Sequence, residues 1–168
     1  MGISMSALMI TDDQIRDFRQ SPSKLEDLLN RTIPFVSKDC CHLADFWDGL
    51  HYVLTGGADE AALPLGVLKR GDVKYSKGLS DPTHAIYSAT VKALAGELRG
   101  LSESQLRERF DPRKMVEARV YPGRLWVFPN LADHTSRELM SYFCRLRDFA
   151  TEAARENKGL VFCRYEGW

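Results

Sequence analysis

The segment ISMSALM (residues 3–9) predicts the first secondary-structure element of the fold. Its apolar residues recur at every second position, the period that is typical of a β-strand with one face toward the core. A second apolar run, LVFCRY (160–165), predicts a strand that pairs with the first if both meet in one sheet. Helical patterns dominate between them. We therefore expect the α+β class: a single compact domain over residues 1–168, with a small mixed or antiparallel sheet packed with several helices.

Capping signals predict where the helices begin. A side-chain oxygen that can accept from free N–H groups precedes several apolar segments with helical spacing. The residues that we assign to helix starts are Thr11, Ser23, Ser88, Ser102 and Asp111, the last of which precedes a proline. The longest apolar stripe predicts a helix over residues 133–157.

Two segments lack a helical period. Residues 58–82 are rich in glycine, proline and basic side chains, which predicts a long irregular connection. The segment VYPGRLWVF (120–128) predicts extended chain broken by a Pro-Gly turn, with Trp126 and Phe128 facing the core.

Composition excludes several classes of function. The chain has 168 residues, of which 44% are hydrophobic, and its 23 Lys and Arg balance its 23 Asp and Glu. No net charge attracts it to nucleic acid or to an anionic membrane, so we expect neither as a direct partner. We find no signal peptide or apolar run long enough to span a bilayer, and we expect a cytoplasmic protein that is a monomer when free.

The stretch DFWDGLHYVLTGG (45–57) is the strongest candidate for a functional site in the sequence. Large apolar residues over 43–54 recur at the spacing of one helical stripe. Gly56 and Gly57 are expected to end this helix, since glycine adopts the left-handed turn without penalty.

On such a helix His51 lies close to Trp47 and Asp48, and an imidazole held by a carboxylate is a usable general base. The alternative is a histidine half-covered by the core, which we favour because the sequence supplies no nucleophile beside it. A pocket formed by Trp47, His51 and Tyr121 is the second hypothesis.

Metal and cofactor sites are not indicated. The four histidines and four cysteines occur at none of the spacings typical of zinc sites. Gly-rich phosphate loops, dinucleotide fingerprints and nucleophile elbows are also missing from the sequence. We therefore expect no metal, no cofactor, no catalytic residue and no enzymatic activity.

Charge patterning suggests a contact surface. Residues 39–68 carry five carboxylates and no Lys or Arg, whereas residues 69–77 are basic. We expect a partner-binding acidic patch that can steer a basic protein. The residues assigned to it are Asp45, Asp48, Asp59 and Glu60. The alternative is an ordinary solvated helix face.

Several motifs together resemble the YfbM-like family of bacterial proteins, a domain of unknown function. They are a first strand that opens with Met-Gly, W-x-x-L-H-x-x-L-T-G from Trp47, L-S-x-x-x-L-R-x-R-F-D-P from Leu101, and Tyr121-Pro122 followed by Trp126. The resemblance spans nearly the whole chain. It implies a single-domain α+β cytoplasmic bacterial protein, and it brings no established activity.

The sequence departs from the family pattern at two places. Relatives often carry an acidic-basic pair before the tryptophan, where this chain has Asp45-Phe46. They often have Tyr-Gly-Pro where residues 80–82 are Ser-Asp-Pro. If the family has an ancestral ligand, the departures imply that this member has lost part of its site.

Two hypotheses of different classes follow. The first is a non-enzymatic immunity protein that binds and neutralises a bacterial toxin, with a secreted nuclease effector, as delivered by type VI secretion, as its basic partner. The alternative is a small-molecule enzyme or ligand-binding protein that uses the pocket near Trp47 and His51.

Overall fold

The structure of the protein is a computed structural model that describes residues 2–75 and 82–166. Its strands are β1 (Ile3–Ile10), β2 (Cys40–Ala44), β3 (Val73–Tyr75), β4 (Thr83–Ile86) and β5 (Gly159–Glu166). They form one sheet in the order β2-β1-β5-β4-β3, and every neighbouring pair is antiparallel.

The first and last strands pair at the centre of this sheet. Their register runs from Ile3 opposite Glu166 to Ile10 opposite Gly159, which confirms the pairing predicted from the two apolar runs. The expectation that β1 buries only one face is wrong. Met5 packs in the core on one side of the sheet and Leu8 in the core on the other, because helices cover both faces.

Seven α-helices lie within the described residues, and they are α1 (Asp12–Gln20), α2 (Pro22–Thr32), α3 (Trp47–Thr55), α4 (Ser88–Gly100), α5 (Glu103–Arg109), α6 (Pro112–Glu117) and α7 (Ala132–Arg155). Helices α1 and α2 pack on one face of the sheet, and α3, α4 and α7 pack on the other. The predicted α+β class is confirmed, and the sheet is antiparallel.

The predicted helix starts are partly confirmed. Thr11 and Ser102 form the expected capping boxes, and the Asp111 side chain accepts N–H groups at the start of α6. The Ser23 assignment is wrong, because α2 begins one residue earlier at a proline. Ser88 is the first helical residue of α4 rather than its cap.

Segments 43–54 and 58–82 contain strands that the sequence pattern does not reveal. Leu43 lies in β2, and the helix begins only at Trp47, since the spacing of Leu43 matches the helical stripe by coincidence. The irregular connection contains a 3-10 turn at Leu65–Leu68 and strand β3. Residues 76–81, which include part of the family departure at 80–82, lie outside the described residues.

The expectation of extended chain over 120–128 is wrong. This segment folds into a 3-10 turn at Gly123–Leu125, and a second such turn follows at Pro129–Leu131. Trp126 is buried in a small cluster beside α3, as expected, whereas Phe128 is exposed. The core position predicted from strand-like alternation is therefore confirmed for Trp126 and wrong for Phe128, because the backbone here forms consecutive turns and not a strand.

Candidate functional site

Helix α3 supplies most of the candidate site. Its polar residues Asp48 and His51 are buried together with the apolar residues around them. The helix ends at Gly56, whose φ of 68° places it in the left-handed region, and the Gly56 N–H bonds to Tyr52 O. The predicted end is confirmed. A nine-residue helix with so little exposed surface is mainly a core element that holds two buried polar groups.

Asp48 joins three segments of the chain. One carboxylate oxygen lies 2.9 Å from Lys69 Nζ, and the other accepts the Tyr121 N–H at 2.8 Å. Only 11% of the side chain is exposed. A buried carboxylate with one cationic and one amide donor is well compensated, so Asp48 lies inside the site rather than on an open helix face.

Lys69 bridges two carboxylates. Besides Asp48, its ammonium contacts Asp59 at 2.6 Å, and the Asp59 side chain is 86% exposed. Burial opposes the charge on the ammonium, but the hydrogen bonds to Asp59 and Asp48 raise the pKa of Lys69 above its usual value. The Lys69 ammonium in turn lowers the pKa of Asp59. Lys69 and Asp59 are therefore charged at neutral pH.

His51 lies beside this ion cluster as a neutral ring. Its Nε2 lies 3.0 Å from the Ala58 carbonyl oxygen, which only accepts, so Nε2 carries the proton. Burial and then the nearby Lys69 ammonium lower the pKa of His51. Its Nδ1 is buried and has no hydrogen-bond partner among the described residues. No hydroxyl or thiol in the described parts of the chain is bonded to the ring, so no nucleophile–base pair forms there.

A cavity of about 430 Å³ opens next to the ion cluster. Its volume lies within the range of small-molecule sites, roughly 300–1,000 Å³. The lining residues are Asp48, His51, Tyr52, Gly57, Asp59, Lys69, Ala118, Arg119 and Val120. Two carboxylates, two cationic side chains and a neutral imidazole therefore meet at one concave surface.

Trp47 and Tyr121 lie together but outside this lining. Their rings stack at a centroid distance of 6.0 Å, with the Arg164 guanidinium over the Trp47 ring at 5.2 Å. Trp47 Nε1 donates to Ile3 O at 3.0 Å, and the Tyr121 hydroxyl accepts the Ile3 N–H at 2.5 Å. Of the three residues assigned to a pocket, only His51 lines the cavity, while the other two anchor the start of β1.

The four acidic residues assigned to partner binding fall into two groups. Asp45 is mostly buried and pairs with Arg124 at 2.8 Å, and Asp48 pairs with Lys69. Asp59 and Glu60 are exposed in the connection that follows α3. The acidic run is thus divided between interior ion pairs and a short exposed segment.

Sequence reasoning missed Lys69 and Arg119 as site residues. Lys69 is the first basic residue after the acidic run, and that reversal of charge is the signal that could have indicated an ion pair with Asp48 or Asp59. Arg119 follows α6 with a φ of 56°, and the sequence carries no sign of this conformation. The contribution of both residues to the site depends on packing between segments that are distant in the sequence.

Within residues 2–75 and 82–166, no three His, Cys, Asp or Glu side chains are grouped closely enough to hold a metal ion. None of the helices there has the length and apolar character needed to cross a membrane.

Comparisons with known proteins identify the family. No protein of curated function matches the sequence. The fold is similar to that of YfbM from Escherichia coli, described as a protein of unknown function, with a TM-score of 0.73 and 18% identity over 96% of this chain and 99% of the other. At that identity the likeness establishes the fold alone. The family model described as "Domain of unknown function (DUF1877)" matches residues 1–163, so the chain belongs to the DUF1877 family.

Proposed function

We propose that this protein is a non-enzymatic immunity protein that binds a bacterial toxin and blocks it by direct contact. The observation that carries the proposal is a group of exposed apolar side chains in residues 127–131, which we term the apolar ridge. Val127, Phe128 and Leu131 expose 54%, 55% and 46% of their surface. Clustered apolar exposure of this kind favours a protein-binding surface over a solvated one.

The ridge stands on a fixed base. Trp126, directly before it, is buried, and its Nε1 donates to Val120 O at 3.0 Å. The 3-10 turn at Pro129–Leu131 orders the other end. A surface ordered before association loses less conformational entropy on binding, which favours affinity.

Exposed carboxylates also support the proposal. Asp59 and Glu60 are exposed, although Asp59 also pairs with Lys69, whereas the side chains of Asp45 and Asp48 are mostly buried and pair with Arg124 and Lys69. We therefore assign the steering of a basic partner to Asp59 and Glu60. A nuclease toxin must present a basic cleft to its nucleic acid, and exposed carboxylates are complementary to it.

The test begins with capture of the partner. Tagged protein is purified from its own bacterium, and a co-eluting basic protein is expressed alone and together with the wild type. The proposal requires that this protein is toxic alone and harmless in the presence of the wild type.

Variants then locate the contact. Phe128→Asp and Leu131→Asp should abolish capture and protection, whereas the matched control Val36→Asp, at a residue that is 99% exposed elsewhere, should keep both. The substitutions Asp59→Lys and Glu60→Lys should slow association with the basic partner, and this effect should be largest at low salt. Unchanged neutralisation by both ridge variants would contradict the assigned surface.

A second candidate function is small-molecule binding or catalysis in the cavity beside His51. The cavity volume of about 430 Å³ and its charged lining favour it. A metabolite that raises the melting temperature of the wild type, but not of His51→Ala, would support this candidate. Loss of stability in His51→Ala without any ligand response would support a purely structural histidine.

A further inference from the structure

The cavity beside α3 is lined by a cationic side chain, that of Lys69. The Lys69 ammonium lies 2.9 Å from an oxygen of Asp48 and 2.6 Å from an oxygen of Asp59. Lys69 follows the 3-10 turn at Leu65–Leu68, so its side chain reaches α3 from a separate segment. The two carboxylates thus define a site that fits a positively charged nitrogen group.

The same wall contains an unused acceptor. Because His51 Nε2 donates to Ala58 O, the lone pair of the neutral ring is on Nδ1. That nitrogen is buried without a donor among the described residues, and His51 is one of the residues that line the cavity. Buried acceptors are nearly always paired in proteins, so an unpaired one beside a cavity points to a ligand that carries N–H donors.

A guanidinium group matches this arrangement better than an ammonium does. It presents five N–H donors in a plane and can bind a carboxylate through two of them at once. The Asp59 carboxylate lines the cavity and is 86% exposed, so it is accessible to such a group from solvent.

We propose that the cavity receives a guanidinium group of the basic partner, and that Lys69 occupies its place in the free protein as an internal competitor. This inference rests on the proposed function, since the toxin supplies the group. Arg119, which is exposed and lines the cavity, opposes a second cation there. The incoming guanidinium must therefore displace Lys69 rather than lie beside it.

The test uses a small probe and needs no toxin. Butylguanidinium and its neutral analogue butylurea are titrated by calorimetry into the wild type and into Lys69→Met. Removal of the competitor should strengthen butylguanidinium binding by about tenfold, and butylurea should bind neither protein. Adding Asp59→Asn to Lys69→Met should weaken probe binding by about tenfold.

Other outcomes contradict the proposal. If butylurea binds Lys69→Met as tightly as butylguanidinium does, the cavity recognises shape rather than charge. If neither binds, no guanidinium site exists. A thermal melt verifies that Lys69→Met is folded.

Should Lys69→Met be unfolded, Lys69→Arg replaces it in the test. This variant fills the site with its own guanidinium, so the weak probe binding of the wild type should disappear; persistent binding would overturn the proposal. A partner captured without any probe binding would leave the immunity function standing and reject only this site.

Discussion

The carboxylate of Asp12, the first residue of α1, accepts both the backbone N–H and the hydroxyl of Ser88, the first residue of α4, at 2.8 and 2.7 Å. The two residues are 76 positions apart. One carboxylate thus completes the start of a helix on the opposite face of the sheet, where free N–H groups and the helix dipole favour a negative charge.

Replacement of Asp12 by alanine should therefore destabilise the whole domain. The loss of a charged cap that serves α4 is expected to cost about 1–2 kcal/mol in the free energy of unfolding, measured by urea denaturation. Asp13→Ala is the matched control, since Asp13 is almost fully exposed and its ion pair with Arg16 is screened by solvent, and its expected cost is small. Equal costs for the two variants would show that the link between α1 and α4 contributes nothing.

Asp48→Ala should be more damaging than Asp59→Ala, although both aspartates contact Lys69. Asp48 is buried and also accepts the part-buried Tyr121 N–H, so its removal leaves that donor and the Lys69 ammonium without their partner at a cost of about 2–3 kcal/mol. Asp59 is exposed, and its pair with Lys69 is screened by solvent. Chemical denaturation of the two variants measures the difference, and the reverse order would refute the role assigned to Asp48.

Two glycine-to-alanine changes should have opposite effects. A methyl group at Gly49 would lie 2.5 and 2.7 Å from ring atoms of the buried Trp126, so Gly49→Ala should destabilise the protein by about 1–3 kcal/mol. At Gly96, within α4, nothing lies within 4 Å of the added carbon, and Gly96→Ala should stabilise by about 0.5–1 kcal/mol. Thermal melts of both variants provide the test, and a stable Gly49→Ala would mean that Trp126 moves freely.

His84 should make the stability fall in mild acid. Burial lowers the pKa of its imidazole from 6.5 to about 4, against the hydrogen bond from Nε2 to Val67 O at 2.6 Å. The unfolded chain takes up a proton below about pH 6.5, whereas the folded protein does so only near pH 4. The neutral His84 therefore contributes up to about 3 kcal/mol to the free energy of unfolding. This contribution is complete above about pH 6.5 and is lost as the pH falls toward 4.

The variant His84→Gln, which can still donate to Val67 O, should flatten the pH dependence of the unfolding free energy. Replacement of the exposed His134 by glutamine should leave the curve of the wild type unchanged. If His84→Gln follows the wild type at every pH, other groups cause the acid sensitivity.

Local physics explains which parts of the fold the sequence predicts. The capping boxes at Thr11 and Ser102 and the end of α3 at Gly56 depend on residues within one turn of each other, and all three are confirmed. The strands at the two ends were also predictable, β1 from its period-two pattern and β5 from its apolar run, but the alternation in β1 did not reveal that helices cover both faces of the sheet.

The candidate site was harder to predict, because its key contacts are long-range. Asp48 was expected on the surface, but Lys69 and the Tyr121 N–H, which lie 21 and 73 positions further on, hold it in the interior. Spacing along one helix indicates which side chains share a face, and it carries no information on what another segment places against that face.

The central pair of strands also constrains how the protein is made. Ser6 and Tyr165 contact each other across the sheet although they are 159 residues apart. During synthesis on the ribosome β1 emerges early, yet its β5 edge stays open until residues 159–166 leave the exit tunnel. An apolar central strand with an unpaired edge is prone to association with other chains, so the nascent polypeptide is expected to need a holding chaperone until its last strand arrives.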